Sequence, residues 1–262
     1  MNLFQVKSFI NYIWTARYKK GYGLHSPFVF NLVREIIYCK YPYYAFDRIK
    51  TLRNRFSNSL KEIEVIDYGA GSHTLGVKSR RLSDLEKKSS IRIKYGALLF
   101  RIVNHLNPKS ILELGTSIGI STSYLALCDT RRSVVTIEGC PETAKVASEA
   151  FKSIGINNIH QITGQFRDVL PNFVAQQNKL DLVFFDGHHQ KQATLDYFNI
   201  CLSKVGNETV FVFDDIHWSK GMEEAWQVIF SHPQVTVSLD LFQFGIVFFK
   251  KECQKQHFVV RY

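Results

Sequence analysis

An apolar run, Ile111-Leu-Glu-Leu114, breaks into the turn Gly115-Thr-Ser-Ile-Gly119 and resumes at once as a helical pattern through Ala126. Strand, glycine-containing turn and helix in direct succession constrain the fold more than any other stretch. Such a turn leaves backbone N–H groups and a helix N-terminus at the strand's carboxyl end, where a polar or anionic ligand group binds. About 20 positions on, a second apolar run, Val134-Val-Thr-Ile137, ends in Glu138. A carboxylate at the tip of a second strand is placed to accept hydrogen bonds from a ribose diol. The two features describe a nucleoside-binding crevice, the alternative being an ordinary strand–helix turn.

The alternation continues downstream. A helix opens at Pro141, a favoured first position, and ends near Gly155. Strands are expected at 158–163, 180–185 and 209–213, with helices near 166–176, 190–203 and 221–231. The run Leu180-Asp-Leu-Val-Phe-Phe185 is apolar enough for a strand buried on both faces. A hairpin of Val235–Leu241 with Gly245–Phe249 completes the series. Repeated βαβ units imply a parallel sheet with helices on its faces. This domain is read as residues 91–262, entered by a helix over Ile91–His105, and residues 1–90 as a mostly helical extension or lid.

Within the extension, Leu3, Val6, Ile10, Ile13 and Trp14 recur at helical spacing with Lys7, Asn11 and Arg17 between them. Such an amphipathic helix is expected to pack on its own domain; peripheral membrane contact is the other reading. The stretch Val65-Ile-Asp-Tyr-Gly-Ala-Gly-Ser72 mimics the first turn, but polar and basic residues follow it. Residues 67–81 therefore read as a glycine-rich loop, either a lid near the substrate or a structural connection.

Of the 262 residues, 45% are hydrophobic and 21% charged, as in ordinary soluble domains. The five cysteines form no C-x-x-C pair, which argues against a disulfide framework or zinc knuckle and suits a reducing cytoplasm. No run is long and apolar enough to cross a bilayer, and the N-terminal segment lacks the features of a signal peptide. The net charge of +10, with basic clusters concentrated before residue 95, is compatible with an anionic partner such as nucleic acid or with solvated helix faces. Oligomeric state is open, with a homodimer compatible.

Two strand ends carry candidate chemistry: Phe184-Phe-Asp-Gly-His-His189 and Val212-Phe-Asp-Asp-Ile-His-Trp218. The expected architecture converges Asp186, Asp214 and Asp215, with His188, His189 and His217 nearby. Carboxylates crowded together repel unless a positive group offsets them. Hard oxygen donors suit Mg²⁺, or Ca²⁺ and Mn²⁺. The plainer readings are helix caps or cofactor-amine ligands for the aspartates, and simple packing at the crevice mouth for His217 and Trp218.

The turn lacks the middle glycine of a dinucleotide fingerprint. Glu113, Gly115 and Gly119 instead fit E-x-G-x-x-x-G, and the segment resembles motif I of class I S-adenosylmethionine-dependent methyltransferases. The resemblance implies a three-layer αβα Rossmann-like fold whose seven-stranded, mostly parallel sheet ends in an antiparallel strand. It implies S-adenosyl-L-methionine as cofactor, with Glu113 near the methionine amine, and Gly115 and Ser121 near its carboxylate. Thr116 and Gly119 belong to the same turn, Glu138 would hold the ribose, and Gly164, Gln165 and Phe166 flank the adenine, unless Phe166 is core. Asp186, Asp214 and Asp215 are similar to the Mg²⁺ ligands of cation-dependent O-methyltransferases of the catechol and caffeoyl-CoA type. Asp215 stands where those enzymes have Asn. Asp186-Gly-His-His189 fits the D-G-x-H pattern of the macrolide sugar type, which implies His189 as general base, with Asp186 also beside the cofactor. The function implied is methylation of a hydroxyl on a small molecule. RNA methylation and a catalytically inactive nucleoside-binding scaffold are the alternatives; no N-P-P-Y-like tetrapeptide supports amino methylation.

Overall fold

Short runs rich in Val, Ile, Leu and Phe bury as strands, while longer stretches of 3.6-residue periodicity become the helices around them. The computed structural model of the chain describes residues 3–18, 23–66, 68 and 77–262. Its helices are α1 (Leu3–Thr15), α2 (Pro27–Leu32, running into a π-helical turn over Val33–Ile37), α3 (Ala45–Ser57), α4 (Leu82–Ser89), α5 (Ile93–Leu106), α6 (Ile120–Ala126), α7 (Pro141–Ser153), α8 (Phe166–Ala175), α9 (Lys191–Leu202) and α10 (Lys220–Ser231). The strands are β1 (Glu62–Ile66), β2 (Val77–Arg81), β3 (Ile111–Leu114), β4 (Val134–Glu138), β5 (Ile159–Thr163), β6 (Leu182–Phe185), β7 (Val210–Phe213), β8 (Val237–Asp240), β9 (Gly245–Phe248) and β10 (Gln256–Val259). Two compact units result: Tyr41–Phe173, and Met1–Lys40 together with Val174–Tyr262.

In the unit 41–173, β3, β4 and β5 run parallel, with Ile111 opposite Val134 and Val134 opposite Ile159. Leu98, Leu99, Ile102 and Val103 of α5 are buried, as are Tyr124 and Leu125 of α6 and Ala147 and Phe151 of α7. The strand β1 pairs only with β2, antiparallel, in a separate two-stranded sheet. Val65 and Ile66 thus close a hairpin instead of opening the parallel sheet, in keeping with the polar sequence after them. Residues 77–81, expected as loop, are the strand β2, because pairing with β1 satisfies their backbone groups. Residues 67 and 69–76, which carry the lid reading, lie outside the described residues. Beside this hairpin, Arg53 joins α3 to α4 through Glu86 at 2.6 Å and also donates to the carbonyl of Ile91.

The second unit is built on β7, all four of whose residues are buried. β6 lies parallel to it and β9 antiparallel; β8 pairs antiparallel with β9, and β10 parallel with β8. The expected hairpin of β8 and β9 is present. Beyond the seven strands expected from the sequence, this unit adds an eighth, β10. Its four residues bury only Phe258 fully, so the alternation that marks a strand is too short to stand out in the sequence.

The helix α1 forms over the expected residues but turns the opposite way. Its buried side chains are Gln5, Ser8 and Tyr12, while Leu3 is 87% exposed, Ile10 54% and Trp14 83%. Polar contacts decide this orientation. Tyr12 Oη donates to the carbonyl of Val260 at 2.7 Å and accepts from the N–H of Tyr262, and Gln5 Nε2 donates to the carbonyl of Trp218.

Candidate functional site

The sequence-predicted nucleoside residues cluster at the carboxyl ends of β3, β4 and β5. Glu113 is fully buried in β3, directly opposite Thr136 of β4 in the parallel register. Its Oε2 accepts from the hydroxyls of Thr122 and Thr136, and Thr136 shares a second hydrogen bond with Thr116 at 2.6 Å. Its Oε1 lacks a hydrogen-bond partner of good geometry, although the Ser121 hydroxyl still favours the charged form. Burial is the larger influence. Together with the charge of Glu138 it pushes the Glu113 carboxyl up to about 7 against these hydroxyls.

The turn itself is braced by the second acid. Glu138 accepts from the N–H of Ser117 at 2.7 Å through Oε2 and from the N–H of Cys140 at 2.9 Å through Oε1. Burial raises its pKa while these N–H groups lower it. The turn needs the brace because Gly115, Ser117 and Gly119 all have positive φ. Gly119 has a second reason to be glycine: a Cβ there would stand 2.5 Å from Phe151 Cε1 and 3.2 Å from Ala147 Cβ. Ser121 is buried in the first turn of α6. After β5, Gly164 N donates to the carbonyl of Glu138, and the Gln165 carbonyl accepts from Asp168 and Val169 at the start of α8. Phe166 is 6% exposed, so it stands in the core of its unit.

The acidic residues cluster at the ends of β6 and β7. Phe185 and Phe213 stack at 4.4 Å with an interplanar angle of 11°, fixing the two strand ends side by side. Asp214 follows, 5% exposed, with its N–H on the carbonyl of Phe185. Its Oδ1 accepts from the N–H of Asp215 at 2.8 Å. Burial, then the charge of Asp215, pushes Asp214 up to about 8, opposed by hydrogen bonds from Gln243 and the Asp215 N–H and by one shared with Asp186. His189 lies between carboxylates, with Nε2 3.8 Å from Asp186 Oδ1 and Nδ1 4.0 Å from Asp215 Oδ2. His188, His189 and Asp215 all adopt left-handed backbone conformations. Such conformations cost about 1–3 kcal/mol each and gather where a site fixes its side chains. Among the described residues, no group of three or more His, Cys, Asp and Glu side chains closes on a common metal position.

His217 leaves this cluster. Its Nε2 is 2.8 Å from Asp240 Oδ2, and its ring stacks on Phe242. It lines a cavity of about 210 Å³ with Tyr12, Glu223 and Trp226. His188 is engaged by the Tyr197 hydroxyl at 3.1 Å. Sequence reading missed Thr122 and Thr136, the hydroxyls that hold Glu113, and Gln243, which reaches Asp214 from the turn between β8 and β9. Pairing the two predicted strands in register would have placed Thr136 beside Glu113. Gln243 carries no comparable signal, since only the return of β9 brings it there.

Residues 112–216 match a family model described as a methyltransferase domain. Across 130 residues the chain is 30% identical to a catechol O-methyltransferase of Niastella koreensis, covering 48% of this chain and 58% of that one. A catechol O-methyltransferase of Mycobacterium tuberculosis is 27% identical over 129 residues, covering 48% of this chain and 57% of its own. The chain spans about half the length of the curated relatives it matches. Among solved structures, an O-methyltransferase from Bacillus cereus in complex with SAH is 22% identical with a TM-score of 0.53, covering 61% of this chain and 82% of that one. The O-methyltransferase TomG from Streptomyces achromogenes in complex with SAM is 18% identical with a TM-score of 0.57, covering 85% and 95%. The chain thus carries a stretch, residues 112–216, that matches a methyltransferase domain, and its fold is similar to that of these solved O-methyltransferases.

Proposed function

We propose that the protein is an S-adenosylmethionine-dependent O-methyltransferase that acts on a hydroxyl of a small molecule with help from a divalent cation. One observation carries the reading. The methyltransferase match over residues 112–216 contains every predicted site residue, from Glu113 to Asp215. When bound, the cofactor supplies a methyl group on a sulfonium, open to in-line attack by oxygen.

The protein's own groups divide the remaining work. The turn 115–119 and Glu138 would hold the nucleoside and the methionine end, and Glu113, a fully buried carboxylate with only hydroxyl partners, suits a cationic amine. Asp186, Asp214 and Asp215 would hold Mg²⁺, provided their side chains, which do not close on a common position in this structure, shift toward it. Their hard oxygens are the right donors for such an ion. A cation held there would lower the pKa of an acceptor hydroxyl. His189, flanked by two carboxylates, is placed to take the hydroxyl proton. The names of the relatives point to an aromatic diol as the first acceptor to try.

Calorimetric titration with S-adenosylhomocysteine, in Mg²⁺ and again in EDTA, tests the cofactor. Transfer of a labelled methyl group to catechol in the two buffers tests the chemistry. Micromolar binding, with Mg²⁺-dependent transfer that His189→Ala reduces by about 10²-fold or more, is expected. Absence of binding in both buffers overturns the reading. Transfer that EDTA leaves unchanged removes the cation from it.

A further inference from the structure

The helix α1 presents its apolar residues to water. Leu3, Val6, Ile10 and Trp14 form one stripe, exposed by 87, 42, 54 and 83%. The opposite side is hydrogen-bonded into its own unit through Gln5, Ser8 and Tyr12, so the helix has no freedom to roll the stripe inward. A contiguous exposed apolar patch beside a fixed polar anchor marks a surface that something else covers.

Charge selects the occupant. Residues 1–40 contain six basic residues and a single acidic one, Glu35. Lys7 and Arg17 flank the stripe and are exposed. A second copy docking through this face by a twofold axis would bring like charges together. An anionic bilayer is complementary instead, and tryptophan with flanking lysine and arginine is the composition of an interfacial helix. At 13 residues α1 lies along a surface, and no helix among the described residues is long and apolar enough to cross one.

We infer that the apolar face of α1 docks the protein on anionic lipid membranes. Sedimentation of the full chain with phosphatidylcholine vesicles containing about 30 mol% phosphatidylserine tests this against phosphatidylcholine alone. Binding to the anionic vesicles, weakened by salt, is expected. The exposed double variant Ile10→Ser/Trp14→Ser should cut the partition coefficient about tenfold or more while leaving thermal unfolding in place. Lys7→Glu/Arg17→Glu should weaken binding to anionic vesicles without touching the stripe. Failure of the wild type to sediment at low ionic strength, or unchanged binding by both variants, overturns the inference. A light-scattering mass of two chains that Ile10→Ser/Trp14→Ser returns to one, with vesicle binding absent, assigns the face to a second copy and overturns it too.

Discussion

Replacing Gly119 with alanine tests the local physics of the nucleoside turn most directly. The residue has φ +87°, and the added methyl would stand 2.5 Å from Phe151 Cε1 and 2.8 Å from Phe151 Cζ. Holding a Cβ in the left-handed region costs roughly 1–2 kcal/mol. Forcing a methyl against a buried ring adds roughly 1–3 kcal/mol, because Phe151 is 5% exposed and has little room to withdraw. Gly119→Ala should therefore destabilise the protein by about 2–5 kcal/mol, read as a lower urea midpoint with unchanged m-value. The matching fall in Tm is about 5–15 °C. The steric part and the conformational part separate in a double-mutant cycle with Phe151→Leu. The smaller side chain should relieve about 1 kcal/mol or more of the alanine's cost and leave the φ penalty in place. A Gly119→Ala protein within about 0.5 kcal/mol of wild type, or strict additivity with Phe151→Leu, refutes the reasoning.

Other expectations concern charge and hydrogen bonding. Asp214 stays protonated in the folded chain up to about pH 8, whereas the unfolded chain releases that proton near its ordinary value of 3.8. The associated stability is complete below that ordinary value and is lost as pH rises toward 8. Asp214→Asn, which escapes the loss, should gain on wild type by a few kcal/mol between acidic pH and pH 8 in EDTA. Urea midpoints at the two ends of the window check it. Glu138→Gln leaves one of the N–H groups of Ser117 and Cys140 without its acceptor, which should cost about 1–3 kcal/mol and weaken S-adenosylhomocysteine binding by calorimetry. Arg53→Ala strips Glu86 of its partner where the two side chains are only 11% and 13% exposed. It should lower stability by about 3 kcal/mol, and Arg53→Met/Glu86→Gln should lower it less.

Much of the fold was legible because its signals are local. The runs Ile111–Leu114, Val134–Glu138, Leu182–Phe185 and Val210–Phe213 are strands where the sequence placed them. A four-residue apolar run bounded by turn residues has few other ways to hide its side chains. Pro141 opens α7 as expected, since its fixed φ and missing N–H suit a first helical position. The Gly115–Gly119 turn was likewise legible, because the positive φ of both glycines is a demand that a sequence records directly.

Tertiary structure decided what depends on distant partners. The periodicity of α1 announced an amphipathic helix. Which face turns inward was settled by the carbonyls of Trp218 and Val260, more than 200 positions away. Strand β10 exists because β8 offers it an edge, and Gln243 reaches Asp214 only because β9 folds back against β7. His217 looked like its neighbour His189 in sequence, yet the partner that captured it, Asp240, comes from β8. Sequence fixes periodicity and backbone conformation residue by residue. Which polar atom meets which is determined by the packing that brings strands and helices together.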